Sequence, residues 1–330
     1  MAASTLEQTA PTIKQRHMKT TRTKVLTSLT VGICAYNEAW NMEKLLNNLI
    51  HEQNLPSDAE VVVVCSGCTD NTPRIVEYFE KADPRIRLIE QPVRLGKAKA
   101  VNKILSESRG KNIIFLSADV TPKPDCLMAL ARAMYDPTVG ISCGKPSPIK
   151  RGSAAIRGLV ETLWGFHNWQ LERLNHLGLL MHASEVFCIR KELIRKIPED
   201  MVNDDAYLAV ATKTQGYKIK YVGNSQVDIY GPQTFSDYLK QRRRIIAGHY
   251  QVRQATGKFS AYILYGVLAR PGLTVRLVVG YLATTRQIKS GLTLAIVEIV
   301  ANLMAALDVM RGKSHSIWSI CRSTKTSRVL

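Results

Sequence analysis

KNIIFLSADVTPKP, residues 111–124, decides the fold. Its apolar run at 113–116 ends abruptly in one acid, Asp119, and Thr121-Pro122 predicts a turn just beyond. A buried strand that delivers a single carboxylate to its C-terminal edge is how an open α/β sheet presents a metal or phosphate ligand.

The same pattern repeats on both sides. Strands are predicted at 29–35, 60–64 and 86–90, and helices at 38–50, 72–80, 97–108 and 125–134. Helices of this length between strands imply parallel βαβ units, a mostly parallel Rossmann-type sheet covered on both faces. Loops at the strands' C-terminal ends then converge on one crevice. Beyond Pro148 the spacing predicts a helix at 153–177 carrying Trp164 and Trp169, and a strand at 186–189. A helix at 204–215 capped by Gly216, a strand at 218–222 and a very basic helix at 235–253 follow. The two tryptophans read as core more readily than as a sugar platform.

Three regions follow: a basic disordered tail (1–26), an α/β domain (27–250) and a helical membrane-associating region (251–330). The tail carries Lys14, Arg16, Lys19, Arg22 and Lys24 against Glu7. The last region holds apolar segments at 261–283 and 292–310. Arg270, Arg276, Glu298 and Asp308 interrupt them, which predicts helices lying in a membrane interface with those charges at headgroup level, the alternatives being a tilted or re-entrant hairpin or ordinary core helices. Lys313, Arg322, Lys325 and Arg328 would add attraction to anionic lipid.

With 330 residues and a net charge of +18, the chain suits anionic partners such as a phosphorylated substrate, anionic lipid or nucleic acid. The basic helix raises a nucleic-acid-binding reading, but no recognised nucleic-acid motif accompanies it. Seven cysteines without a secretory signal read as reduced cytosolic thiols. Cys65-x-x-Cys68 could be half of a zinc site or a redox pair, yet no second pair has matching spacing.

Four loops meet in the crevice. Cys34-Ala35-Tyr36-Asn37-Glu38 offers a helix cap at Asn37 and a first-turn acid at Glu38. Residues 65–72, CSGCTDNT, are small and polar, so their backbone can approach a flat ligand. Gly96-Lys97 opens a helix and suits a diphosphate, although the P-loop pattern is missing. Ser117-Ala118-Asp119 is the fourth.

Together these loops resemble the family 2 glycosyltransferases of the GT-A fold, over residues 28–249. Tyr36-Asn37-Glu38 matches the family's first loop. Ser66-Gly67-Cys68-Thr69-Asp70-Asn71-Thr72 matches its second, with Ser66 in place of an Asp. Gly96-Lys97-Ala98-Lys99-Ala100-Val101-Asn102 matches the third. Asp119 is the second acid of the Asp-x-Asp metal motif, with Ser117 in place of the first. Asp204-Asp205 stands for the Glu-Asp pair, with Leu208 and Gly216 at the family's offsets. Gln241-Arg242-Arg243-Arg244 resembles the Gln-x-x-Arg-Trp signature of membrane-bound polysaccharide synthases, with Ile245 for Trp.

The resemblance implies an inverting transferase that moves a sugar from a nucleoside-diphosphate sugar to a lipid-linked, polysaccharide or glycan acceptor. Such an enzyme would work at a membrane surface with its active site facing the cytoplasm, and without nucleic acid. Asp119 would hold Mg²⁺ or Mn²⁺. Asp205, with Asp204, would take the acceptor proton. Ala35, Tyr36, Asn37, Glu38, Ser66, Gly67, Asn102, Ser117 and Gln241 would bind substrate, while Lys97 or the Arg242, Arg243, Arg244 cluster would grip the diphosphate. Glu185 falls where the family places acceptor residues, or is a solvated loop acid. His182 and His249 either reach the crevice or serve packing. A catalytically degenerate nucleotide-sugar-binding protein is the alternative.

Overall fold

The computed structural model describes residues 28–258, 260, 270–313 and 315–316. The predicted basic tail, residues 261–269 of the first apolar segment, and Arg322, Lys325 and Arg328 lie outside the described residues. One eight-stranded sheet runs in the order β3-β2-β1-β4-β7-β6-β8-β5. Its parallel half is β1 (Leu29–Ala35), β2 (Glu60–Ser66), β3 (Ile86–Gln91) and β4 (Asn112–Ser117). Then β7 (Phe187–Arg190) runs antiparallel to both β4 and β6 (Val139–Pro148). Finally β8 (Lys218–Ile229) lies parallel to β6 and antiparallel to β5 (Val120–Pro122).

Val61 to Val64 are all buried, because helices cover both faces of the strand. On one face α1 (Ala39–His51), α2 (Thr72–Ala82) and α4 (Cys126–Ala133) pack Leu45, Phe79 and Leu130 against Val31, Val63 and Leu116. On the other, α3 (Lys97–Glu107) and α6 (Asp204–Thr214) pack Ile104 and Leu208 against Val62 and Phe115, joined by the end of α5 (Ala154–His176). The long α7 (Phe235–Thr256) begins at Thr234, whose hydroxyl accepts from Asp237 N at 3.1 Å, and ends at Gly257 in the left-handed region. Beyond it lie α8 (Pro271–Thr285) and α9 (Ile288–Met310), the latter packed on α5 and α7.

Two local expectations are corrected. Thr121-Pro122 is not a turn but most of β5; the turn is Ala118-Asp119, one step earlier. Pairing with β8 holds the short segment extended. Between 139 and 148, where no element was expected, stands the ten-residue β6.

Candidate active site

The ends of β1, β2 and β4, the start of α6 and the wall of α7 enclose one cavity of about 620 Å³. That is a size typical of small-molecule sites. Loop-to-loop hydrogen bonds set its rim. Asn37 adopts φ 53° and exchanges side-chain bonds with Thr69, Nδ2 to Oγ1 at 3.0 Å and Thr69 N to Oδ1 at 2.8 Å. Asn37 therefore joins two loops rather than capping α1. The cap position belongs to Glu38, and the amide of Ala39 is satisfied by Asp70 Oδ2 at 3.1 Å. Glu38 N donates to Thr72 Oγ1 at 2.8 Å.

Ser66 and Gly67 shape the next loop. Leu95 N donates to Ser66 Oγ at 3.1 Å. Gly67 has φ +62°, and a Cβ there would stand 2.2 Å from Arg94 N, so only glycine fits. The Arg94 guanidinium lies 3.9 Å from the Tyr36 ring centre, a cation–π contact within the cavity wall.

Gly96 at φ +91° turns the chain into α3 and sets Lys97 at its first position. Lys97 Nζ lies 2.9 Å from Asp204 Oδ1. Burial alone would lower the Lys97 pKa, but Asp204 and then Asp205 hold it above the ordinary lysine range. The expected diphosphate lysine thus already engages an acid, while still lining the cavity. Asp204 and Asp205 occupy the first turn of α6, where the helix dipole favours carboxylates. Their approach is held on two sides: Asn203 Nδ2 donates to Ile245 O at 2.8 Å, and Val202 N donates to Gln251 Oε1 at 2.9 Å.

Burial pushes the Asp205 carboxyl above the usual aspartate range; His182 and Lys97 oppose the shift and Asp204 adds to it. Glu185 is pushed up to about 7, by burial first and then by Asp205, with Lys97 opposing and Asp119 and Asp204 adding. It lines the cavity among carboxylates and is no solvated loop acid.

His182 and His249 both reach the cavity, joined by His167, which sequence reasoning missed. Ring centres stand 5.2 Å apart for Trp164–His167, 5.5 Å for His167–His182 and 5.8 Å for His182–His249. Burial holds all three imidazoles below the usual histidine range, hence neutral at pH 7. His249 Nδ1 is 2.9 Å from Ser260 Oγ. His167 Nε2 and His182 Nδ1 are buried with no hydrogen-bond partner among the described residues. The only advance signal for His167 was its place one turn after Trp164.

The cavity gathers Ala35, Tyr36, Glu38, Ser66, Lys97, Ser117, Asp119, Asp204, Asp205, Gln241, Arg242 and Arg244 from the expected set. Asn37, Gly67, Asn102 and Arg243 are not among its lining residues. Asn102 instead clamps the backbone of Ile197, donating to O at 2.9 Å and accepting from N at 2.8 Å. Arg243 makes a two-pronged pair with Asp308, and Arg242 another with Glu298 at 2.7 and 2.8 Å. Two of the three expected diphosphate arginines therefore bind α9.

Asp119 stands in the turn between β4 and β5 with an oxygen ligand suited to a hard cation. Among the described residues no three His, Cys, Asp or Glu side chains converge to hold an ion by themselves. The crowd of carboxylates that raises Glu185 nonetheless favours a cation. The residues fit an ion held by Asp119 together with diphosphate oxygens and water, the usual arrangement for Mg²⁺.

Residues 30–197 match the model of Glycosyl transferase family 2. The chain is 25% identical over 237 residues to an N-acetylglucosaminyltransferase of Rhizobium meliloti, covering 67% of this chain and 55% of the relative. It is 24% identical over 246 residues to a poly-beta-1,6-N-acetyl-D-glucosamine synthase of Staphylococcus epidermidis, covering 70% and 58%. It thus spans little more than half the length of these curated relatives. The mannosyltransferase PcManGT of Pyrobaculum calidifontis, solved with GDP-Man and Mn²⁺, superposes with a TM-score of 0.60 at 23% identity, over 87% of this chain and 88% of that one. This likeness places the mixed sheet and its helices in the GT-A fold. By its match over half its length, the chain belongs to glycosyl transferase family 2.

Proposed function

We infer that the protein transfers a sugar, with inversion, from a nucleoside-diphosphate sugar to an acceptor hydroxyl of a lipid-linked, polysaccharide or glycan molecule. One observation carries this reading: Asp205, a half-buried carboxyl of raised basicity, faces the same cavity as Asp119 and the Tyr36 and Ser66 loops. Tyr36, Arg94 and Ser66 bind the nucleoside end of the donor, and the helix start at Lys97 faces its diphosphate. A bound Mg²⁺ or Mn²⁺, as in the GDP-Man complex of the mannosyltransferase neighbour, would sit on Asp119 and neutralise the leaving diphosphate. Asp205 accepts the proton of the acceptor hydroxyl as its oxygen attacks the anomeric carbon. Lys97 pairs with Asp204 at 2.9 Å and fixes the start of α6, so Asp205 meets the hydroxyl from a set position. Direct attack from the face opposite the diphosphate inverts the anomeric centre.

The protein works at a membrane surface on the cytoplasmic side. By length and composition alone, α9 is apolar enough to cross a bilayer. Glu298 and Asp308, expected at headgroup level, instead face α7 and its arginines. The outward side of α9 is left apolar, which favours lying on the surface.

The test is a screen of UDP- and GDP-sugars for turnover with Mg²⁺ or Mn²⁺, comparing wild type with Asp205→Asn. Wild type should release nucleoside diphosphate, and the variant should bind donor as tightly while losing transfer at least 100-fold. Donor binding without turnover under any metal would mean a degenerate nucleotide-sugar-binding protein. Collapse of donor affinity in Asp205→Asn would move that residue to the donor site.

A further inference from the structure

The cavity extends well beyond the carboxylates. The ring contacts from His182 to His167 to Trp164 lead to α5, and the same cavity continues between α5, α8 and α9. There its walls include Val278, Leu282, Leu294, Ala295 and Ile299. The Tyr281 hydroxyl nearby is already engaged by Thr162 O at 3.3 Å and Gln287 Oε1 at 3.1 Å. With the rings of Trp164, Phe166 and Tyr281 also lining the cavity, the arm is largely apolar and suits a hydrocarbon chain; a glycan needs hydrogen bonds along its whole length.

The arm opens outward. Ile299 is both a cavity residue and 61% exposed. It belongs to an apolar stripe on α9, with Leu292, Ile296, Leu303, Leu307 and Met310 at spacings of three and four. Between 270 and 316 the acids are Glu298 and Asp308, both turned onto arginines of α7. The exposed charges around the stripe are Arg270, Arg276, Arg286, Lys289, Arg311 and Lys313. Among the described residues of α8, α9 and their ends, the exposed charges are thus all cations, and an apolar face with such flanks complements an anionic lipid surface. At the inner end of the arm, His167 Nε2 and His182 Nδ1 are buried ring nitrogens with no hydrogen-bond partner among the described residues. Their neutral imidazoles offer hydrogen bonds without charge, which suits hydroxyl groups.

We propose that the acceptor is an amphipathic lipid with a hydroxyl-bearing head, entering from the membrane surface between α8 and α9. Its chain lies along Val278, Leu282, Leu294 and Ala295, and its head lies against His167 and His182 beside Asp205. The head's oxygen forms the new bond to the anomeric carbon. The bond from that carbon to the diphosphate oxygen breaks, the diphosphate leaves with the electron pair, and the hydroxyl proton passes to Asp205. The proposal rests on the glycosyltransferase reading and gives it an acceptor class.

The experiment uses the full chain on phosphatidylglycerol vesicles, with decyl glucoside carrying a photoreactive diazirine at its chain end as probe. Adducts are mapped by mass spectrometry. The expected adducts fall on Val278, Leu282, Leu294 or Ala295. They are competed by excess decyl glucoside but not by glucose, and fall at least tenfold in Ala295→Trp and in Leu282→Trp, which plug the arm from α9 and α8. Adducts confined to outward residues such as Leu292 and Leu303, or arm labelling indifferent to both plugs, would overturn the proposal. Donor affinity of the wild type, by calorimetry in the same preparation, separates the two readings. Its absence refutes the glycosyltransferase assignment, whereas intact donor binding without arm labelling refutes only the lipid acceptor.

Discussion

Replacing Glu298 by alanine should loosen the whole C-terminal helix, although the residue lies 56 positions from its partner Arg242. The two side chains meet through paired hydrogen bonds of 2.7 and 2.8 Å, and are only 18% and 24% exposed. Breaking a fully buried pair costs about 3–5 kcal/mol, because the remaining charge is stranded. Partial exposure lets water reach the guanidinium, so we expect about 2–3 kcal/mol for Glu298→Ala. Arg242→Ala should cost a similar amount, and the double variant little more than either alone. That gives a coupling energy of about 1.5–2.5 kcal/mol. Urea unfolding in mild detergent, read at constant slope, measures all four corners of the cycle. A coupling below about 0.5 kcal/mol would show that the pair is only a surface contact and that α9 is held by its apolar side alone. The exchange Arg242→Glu with Glu298→Arg offers a second reading: recovery of most of the loss confirms charge pairing over shape.

Asp119→Asn should abolish metal-dependent turnover while leaving the unfolding midpoint in chelator unchanged; full activity in the variant would be fatal to the metal assignment. Glu185 gives a pH signature: its folded pKa of about 7 lies above the ordinary 4.5, so in chelator the stability it contributes is complete below pH 4.5 and fades as pH rises to 7. The loss amounts to about 3 kcal/mol at most and should vanish in Glu185→Gln; identical pH profiles for the two proteins would refute it. Leu292→Glu with Leu303→Glu should reduce flotation with phosphatidylglycerol vesicles at least tenfold, since both residues face outward on α9, at 60% and 63% exposure. Unchanged flotation would assign membrane binding to some other surface.

The first half of the fold was legible because its signals are local. In β1 through β4 and α1 through α3 the hydrophobic period changes between strand and helix at each boundary, and the loops carry their own turn chemistry. The sixth strand was hidden by its composition. Gly140 and Gly144 fall at its two register shifts, and a Cβ at Gly144 would stand 2.7 Å from Ser225 O. Pro146 and Pro148 lie beyond Cys143, where β7 has ended and the strand pairs with β8 alone; on such an edge a missing N–H costs little. The three-residue β5 is too short to show alternation. Within the site, Asp119, Asp204 and Asp205 were visible as acids at element ends. The roles of Asn37 and Asn102 were not, because their partners lie 32 and 95 residues away and hydrogen bonds at such range leave no periodic trace.

The basic run Gln241-Arg242-Arg243-Arg244 shows why a motif read along a line misleads on a helix. Successive residues of α7 are turned by about 100°, so three consecutive guanidinium groups span more than half the circumference and cannot all reach one anion. Arg244 and Gln241 line the cavity, while Arg243 is turned away and closes on Asp308. Arg242 sits between these directions, lining the cavity and gripping Glu298 at once. The charge that the family resemblance assigns to a diphosphate is thus divided between the site and the helix behind it. That division explains how α9 tolerates two acids in so apolar a sequence: they are consumed inward by α7, and the outward stripe is left free of acids. It also joins two events mechanically. On the proposed membrane docking, any force that seats or lifts α9 acts through Glu298 and Arg242 on the wall that faces Asp205.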